Sequence, residues 1–189
     1  MSDAKAIRTA LMIARGHVDR NPTDAQKEAG NYRKSHFVFH GLPVTMENPK
    51  GSIRRGVSKS GHSWHVKMPY DYGYIKRTEG ADGDHVDVCI GPDVNSDAVF
   101  IVDQKNADNG KFDEHKVMLG YPDLESAKAA YVSGFSDGRG KNRMGPIVRM
   151  TMDEFKKWLK TDGTYSSVGS QDKINRALEI ASSARRRAP

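Results

Sequence analysis

Asp82-Gly83-Asp84-His85-Val86-Asp87-Val88-Cys89-Ile90 joins a carboxylate-rich turn to an apolar run. Three carboxylates stand within six positions. Like charges packed this closely repel one another unless a cation lies among them. Hard oxygen ligands on short spacing suit Mg²⁺ or a similar divalent cation rather than zinc or copper. The apolar, partly β-branched run that follows predicts a buried strand. If Asp84 already lies on extended chain, alternation puts it on one face with Val86 and sends Asp87 to the other. A turn or bulge at Gly83 instead brings all three carboxylates toward one site.

Further β-rich runs flank this stretch: Phe37-Val38-Phe39, Val44-Thr45-Met46, Trp64-His65-Val66 and Val99-Phe100-Ile101-Val102. Gly41-Leu42-Pro43, Asn48-Pro49-Lys50-Gly51, Gly91-Pro92-Asp93 and Asp108-Asn109-Gly110 separate them as turns. Many short strands with tight turns predict a small, closed antiparallel β-barrel. Helical patterns bracket that core. Ile7, Leu11 and Ala14 share a face over residues 4–14. Asn21-Pro22-Thr23 reads as a stop and an N-cap, with a second helical piece from Asp24 to Ala29 ending at Gly30. After Gly120 the pattern reads as helical: Asp123 to Phe135, Met152 to Leu159 with a Thr151/Glu154 capping box, and a last helix from a Ser170 cap through Ile174, Leu178 and Ala181. The expected fold class is α+β: an N-terminal helical extension over 1–34, which packs on the main domain or contacts a partner, a main domain over 35–161, and a C-terminal helix with a basic tail over 162–189.

Composition narrows the class. The 189 residues carry a net charge of +6 and a pI near 9.4. Two Trp, seven Tyr and six Phe argue against a chain disordered throughout. The single cysteine, Cys89, excludes an internal disulfide and suits a reducing compartment. Its apolar setting makes it a buried small hydrophobe rather than a nucleophile. No apolar stretch is long enough to span a bilayer and the N-terminus lacks a signal-peptide core, so a soluble cytoplasmic protein with no membrane partner is expected. Arg185-Arg186-Arg187 at the end of the chain reads first as a solvated tail, and in a sharper reading as an anchor for nucleic acid or another polyanion.

Known carboxylate and phosphate motifs are excluded one by one. An EF-hand loop counted from Asp82 puts Asp87 where Gly is required and Asp93 where Glu is required. Gly140-Lys141 lacks the remaining glycine and hydroxyl of a P-loop. No HExxH or CxxC accompanies the seven histidines. Phe112-Asp113-Glu114-His115-Lys116-Val117 adds two carboxylates and a lysine in an apolar frame, and Lys50, Arg54, Arg55, Lys67, Lys76 and Arg77 surround the region. Carboxylates for metal ions beside Lys and Arg for ligand oxygens fit a phosphate-rich substrate.

Tyr72-Gly73-Tyr74-Ile75, a short loop and then Asp82-Gly83-Asp84-x-Val86-Asp87-Val88 resemble the linked motifs of family I soluble inorganic pyrophosphatases. A wider pattern from Asn21 to Gly120 is similar to the pyrophosphatase-like domains of bacteriophages and mobile elements. The resemblance implies an OB-like barrel and Mg²⁺-dependent hydrolysis of pyrophosphate, with Mn²⁺ as an alternative metal. It implies Asp82, Asp87 and an acid of the Asp113–Glu114 pair, Glu114 for preference, as metal ligands, with Glu47 matching an early glutamate of the family. It further implies Asp84 as general base, Tyr72 as a hydrogen-bonding member of that network, and Arg55 or Arg54, Lys67 and Lys116 as binders of substrate phosphate. His85 stands where the family carries proline. The family's C-terminal Tyr-Lys pair has no clean counterpart: Phe135-Ser136 falls near that place, with Arg139, Lys141 or Arg143 as substitutes. These departures keep two alternatives open: hydrolysis of another phosphoanhydride such as a nucleotide, or a binding module without turnover acting on a host protein or nucleic acid. A homo-oligomer is compatible with all of them.

Overall fold

The computed structural model describes residues 3–57 and 61–170. In chain order these form α1 (Asp3–His17), α2 (Asp24–Glu28), β1 (Ser35–Phe39), β2 (Leu42–Asn48), β3 (Ile53–Val57), β4 (Ser63–Lys67), β5 (Asp71–Ile75), β6 (Asp87–Ile90), β7 (Ala98–Lys105), β8 (Phe112–Leu119), α3 (Leu124–Ser133), α4 (Gly140–Arg143), β9 (Met144–Thr151) and α5 (Met152–Trp158). A 3₁₀ turn follows at Asp162–Tyr165.

The predicted α+β class holds, but the closed antiparallel barrel does not. Seven strands form one open sheet in the order β1-β2-β5-β6-β8-β7-β9, and β3 and β4 pair with each other as a separate hairpin. The sheet is mixed, because β6 and β8 run parallel, Asp87 opposite Lys116 and Ile90 opposite Leu119. Four strands are not among the β-rich runs of the sequence: Ile53–Val57 forms β3, Tyr72-Gly73-Tyr74-Ile75 lies in β5, the Asp113–Lys116 run lies in β8, and β9 occupies a region read as helical. With β9 on one edge, β1 on the other and packed elements over both faces, the sheet buries its apolar surface without closing on itself.

Strand alternation makes the two cores. Val88, Val117 and Ile101 face one side, where they meet Ile7, Leu11, Ala14 and Val18 from α1 and its end, and Met152, Phe155 and Trp158 from α5. Tyr72, Cys89, Met118 and Phe100 face the other, under Ala127 and Tyr131 of α3 and Val66 of the hairpin. The predicted apolar face of the first helix therefore packs on the sheet. Arg15 fastens it further: its Nη2 is 2.6 Å from the buried Asp71 carboxylate at the start of β5. Cys89 is buried as expected, and burial pushes its thiol up to about 12.

Local signals read from the sequence recur. Thr23 and Thr151 both make capping boxes, with Gln26 and Glu154, and Gly30 ends the α2 region at φ 63°. Near the C-terminal end, residues 168–170 are already helical and Ser167 Oγ accepts from Ser170 N–H, so the cap stands three residues before Ser170. The rest of that expected helix, through Ile174, Leu178 and Ala181, and the Arg185–Arg187 tail lie outside the described residues. No helix among the described residues is long and apolar enough to cross a membrane.

Gly73 has a specific steric reason. β5 crosses β2 at a bulge between Met46 and Asn48, and a Cβ on Gly73 would collide with the Thr45 carbonyl oxygen. Gly73→Ala is expected to cost about 1–3 kcal/mol, read as a lower urea midpoint.

On the α5 face, Asp103 of β7 is 2% exposed and accepts from Ser167 Oγ at 2.7 Å, Gly169 N–H at 2.9 Å and Val168 N–H at 3.0 Å. His115 Nε2 lies 3.2 Å from Asp103 Oδ1, within ion-pair reach though off hydrogen-bond geometry. Burial alone would raise the Asp103 carboxyl, but His115 and the hydrogen bonds from residues 167–169 outweigh it and hold it below the usual carboxylate range. A carboxyl with a depressed folded pKa contributes stability that is complete above its unfolded pKa and is lost as pH falls through the folded value. Asp103→Asn should therefore lower stability at neutral pH by about 1–3 kcal/mol and flatten the acid limb of a stability–pH curve. Urea titrations of both proteins between neutral and acid pH would measure it.

Candidate active site

The site is built from three adjacent strands and the turn between two of them. Gly83, at φ 84°, closes a tight turn in which Gly80 N–H donates to Asp84 O and Asp84 N–H donates to Asp82 Oδ1. Thr78 staples the turn, donating to Ile75 O and accepting from Val86 N–H. Strand β6 begins only at Asp87. Asp84 is thus in the turn rather than on extended chain, and this lets Asp82, Asp84 and Asp87 line one cavity of about 540 Å³. Of the two geometries open in the sequence, the turn at Gly83 is the one formed.

In register, Tyr74 stands opposite Asp87 and Asp87 opposite Lys116, so β5, β6 and β8 deliver side chains to the same face. Tyr72 Oη donates to Asp87 Oδ2 at 2.5 Å. Lys116 Nζ donates to Asp87 Oδ2 and, at 2.7 Å, to Glu114 Oε2. Behind Glu114, Gln104 Nε2 donates to its Oε1 at 2.6 Å, and Tyr131 Oη donates to Gln104 Oε1 at 3.0 Å. The upper wall comes from β2, where Glu47 accepts from Lys34 Nζ at 2.6 Å and Tyr32 Oη at 3.1 Å. Arg54 completes the wall from the hairpin, its guanidinium 4.6 Å from the centre of the Tyr72 ring.

Electrostatics follow from this packing. Burial raises the Glu114 carboxyl above its usual range; Lys116 opposes that and the neighbouring Asp87 adds to it. Burial also raises the Tyr72 phenol, and Asp87 reinforces the effect, so Tyr72 is a hydrogen-bond donor at neutral pH. Burial works against the charged forms of Lys116 and Arg54, yet the surrounding acids and Tyr72 overcome it and both stay cationic. Asp87 and Glu114, both largely buried, thus share the one Lys116 ammonium.

Of the residues singled out in the sequence, Asp82, Asp84, Asp87, Glu114, Glu47, Tyr72, Arg54 and Lys116 line this cavity. Asp113, Arg55 and Lys67 do not. Asp113 alternates with Glu114 on β8 and is exposed. Arg55 alternates with Arg54 and lines a separate cleft with Asp24 and Lys27. Lys67 stands opposite Ile53 on the outer face of the hairpin and is exposed. The sequence reading missed Lys34, Tyr32, Tyr74 and Lys27, which also line the cavity. Lys34 lies just before β1, and its role depends on contact with β2, which no local pattern reveals. His85 was regarded only as a replaced proline; its ring stacks on Tyr74 at 4.7 Å and its Nδ1 lies 2.6 Å from Thr78 O.

Among the described residues, no three Asp, Glu, His or Cys side chains are arranged to hold a metal ion; Lys116 lies between Asp87 and Glu114 instead. The donor set nevertheless fits a hard divalent cation, because Asp82, Asp87, Glu114 and Glu47 offer only carboxylate oxygens to one cavity.

A family model described as Inorganic Pyrophosphatase matches residues 24–160. A search of curated proteins found no match. Among solved structures, the chain is similar to an inorganic pyrophosphatase from Coxiella burnetii, at 16% identity and TM-score 0.37, over 62% of this chain and 89% of that one. It is also similar to an inorganic phosphatase from Anaplasma phagocytophilum, at 16% identity and TM-score 0.36, over 70% of this chain and 91% of that one. The family match spans well over half of the 189 residues and takes in every side chain that lines the carboxylate basin, and on that ground the chain belongs to the inorganic pyrophosphatase family of hydrolases.

Proposed function

We propose that the chain hydrolyses inorganic pyrophosphate to two phosphates in the basin between β5, β6 and β8. The observation that carries this reading is the meeting of Asp82, Asp84, Asp87 and Glu114 with Lys116, Arg54 and Lys34 around one cavity. Mg²⁺, or Mn²⁺ in its place, held by Asp82, Asp87 and Glu114 with Glu47 nearby, would neutralise phosphate charge and make water more acidic. Asp84, exposed on the turn, takes the proton from the attacking water. Arg54, Lys34 and Lys116 bind phosphate oxygens and stabilise charge on the leaving group. Tyr72 fixes the Asp87 carboxylate through its 2.5 Å hydrogen bond.

The motif set from Asn21 to Gly120 supports a place within the phage and mobile-element subgroup, acting in a cytoplasm. We also read residues 35–161 as the hydrolase domain, with 1–34 and 162–189 as its extensions, the first of which sends Lys27, Tyr32 and Lys34 into the basin. Phosphate release from pyrophosphate, with and without Mg²⁺ and with EDTA as control, tests the function. Release that requires Mg²⁺ is expected; a folded protein that releases none contradicts the reading.

A further inference from the structure

Pyrophosphate is a compact anion with no apolar part, and the carboxylate basin meets all of its chemistry. Arg54 does not belong to that basin alone. That guanidinium also lines a second cavity of about 620 Å³, between the hairpin and the segment from Gly134 to Arg143. Its walls are partly aromatic. Trp64 lies flat across the hairpin because its cross-strand partner is Gly56, where a Cβ would stand 2.7 Å from the indole. Phe135 is supported edge-on by Tyr131 at 5.2 Å. Each of these rings carries a guanidinium, Arg54 at 5.4 Å from the Trp64 centre and Arg143 at 4.9 Å from the Phe135 centre.

The rim is polar and of both signs. Arg139 donates to Ala107 O at 2.8 Å and to Asp108 at 3.3 Å, and Arg143 pairs with Asp137 at 2.8 Å. Flat ring faces stack on planar heterocycles. Guanidinium groups bind phosphate, and carboxylates accept from hydroxyl and amino groups. None of the aromatic surface is of use to pyrophosphate. All of these features suit a molecule with a phosphate chain at one end and a base and sugar at the other.

We propose that the site takes a nucleoside 5′-triphosphate, with its phosphate chain in the carboxylate basin, Arg54 at the joint, and its base against Trp64 and Phe135. This rests on the hydrolytic reading above. Water forms a bond to the terminal phosphorus, the bridging P–O bond breaks, and the products are a nucleoside diphosphate and orthophosphate. The proton from water passes to Asp84 and is released with the products, so the reaction needs no co-reactant beyond water.

The test compares pyrophosphate, tripolyphosphate and ATP as substrates of the full chain, and adds a binding measurement independent of turnover. Titration with β,γ-methylene-ATP should quench tryptophan emission through Trp64; Trp158 is buried on the opposite face of the sheet against Phe155. The expected result is quenching by the analogue, ATP turnover with a kcat/KM above that for tripolyphosphate, and a loss of tenfold or more on ATP in Phe135→Leu and in Asp137→Asn. Turnover of pyrophosphate should stay within about twofold in both variants. Asp137 lines the second cavity and is exposed, so its variant retains the fold even if Phe135→Leu does not. Pyrophosphate cleavage with no binding or cleavage of nucleotide overturns this inference and leaves the function standing. Equal use of ATP and tripolyphosphate, nucleotide binding unchanged in both variants, or tighter binding of a single-stranded oligonucleotide than of the mononucleotide also overturns it. Failure on pyrophosphate as well as nucleotide overturns the hydrolytic reading itself.

Discussion

Asp84→Asn is expected to lower phosphate release from pyrophosphate by about 10²–10⁴-fold, the usual contribution of a positioned general base. The side chain is exposed on the Gly83 turn, where the backbone N–H of Asp84 is held by Asp82 Oδ1. Substitution by the isosteric amide leaves that hydrogen bond intact, so stability should stay within about 0.5 kcal/mol of the parent. The effect should fall on kcat, because the amide still fits the basin but cannot take a proton. A variant that keeps full kcat would remove Asp84 from the chemistry and move the base elsewhere in the cavity.

Lys116→Met is expected to have the largest effect on stability. Its ammonium is bonded to both Asp87 and Glu114, with only 11% of the side chain exposed. Removing one partner from a buried ionic cluster costs about 3–5 kcal/mol, because the remaining charges are left uncompensated. For a chain of this size that corresponds to a fall in Tm of roughly 6–20 °C. The deficit should grow with pH. A carboxyl whose folded pKa is raised, as that of Glu114 is, binds its proton more tightly in the fold, so stability declines as pH rises through that raised pKa. Mg²⁺ should recover more stability in Lys116→Met than in the parent, where the cation has to displace an ammonium. Thermal melts in EDTA and in excess Mg²⁺, near pH 5 and near pH 8, measure all of this. Equal Mg²⁺ shifts in the two proteins would show that the metal binds outside the Asp87–Glu114 pair.

The sequence carried the site further than it carried the fold. Asp82-Gly83-Asp84 is legible because the chemistry is local: the glycine permits the turn and the turn gathers the acids. Glu114 is legible through the family resemblance, as the acid two residues before Lys116, and alternation on β8 then puts both on one face. The same alternation, applied to Arg54-Arg55 and Asp113-Glu114, excludes one member of each pair only once the inward face is known. That face is set by pairing with distant strands, Arg54 opposite Val66 and Glu114 opposite Gln104. The barrel expectation failed for a related reason. Five of the nine strands show as β-rich runs, but β6 passes over β7 to pair in parallel with β8, and β9 extends the sheet. Such long-range choices leave no periodic trace in any one segment. Lys34 and Tyr32 reach Glu47 across fifteen residues or fewer, yet through a tertiary contact rather than a motif.

Hydrolysis in this basin requires that the carboxylates of the turn and of β6 and β8 form one metal and phosphate site. A crystal soaked with Mn²⁺ and phosphate measures this directly through anomalous scattering. The expected result is Mn²⁺ bound by Asp82, Asp87 and Glu114, with Lys116 drawn off the acids onto a phosphate oxygen. Lys116 still bridging Asp87 and Glu114, with Mn²⁺ absent from the basin and phosphate elsewhere, would contradict it.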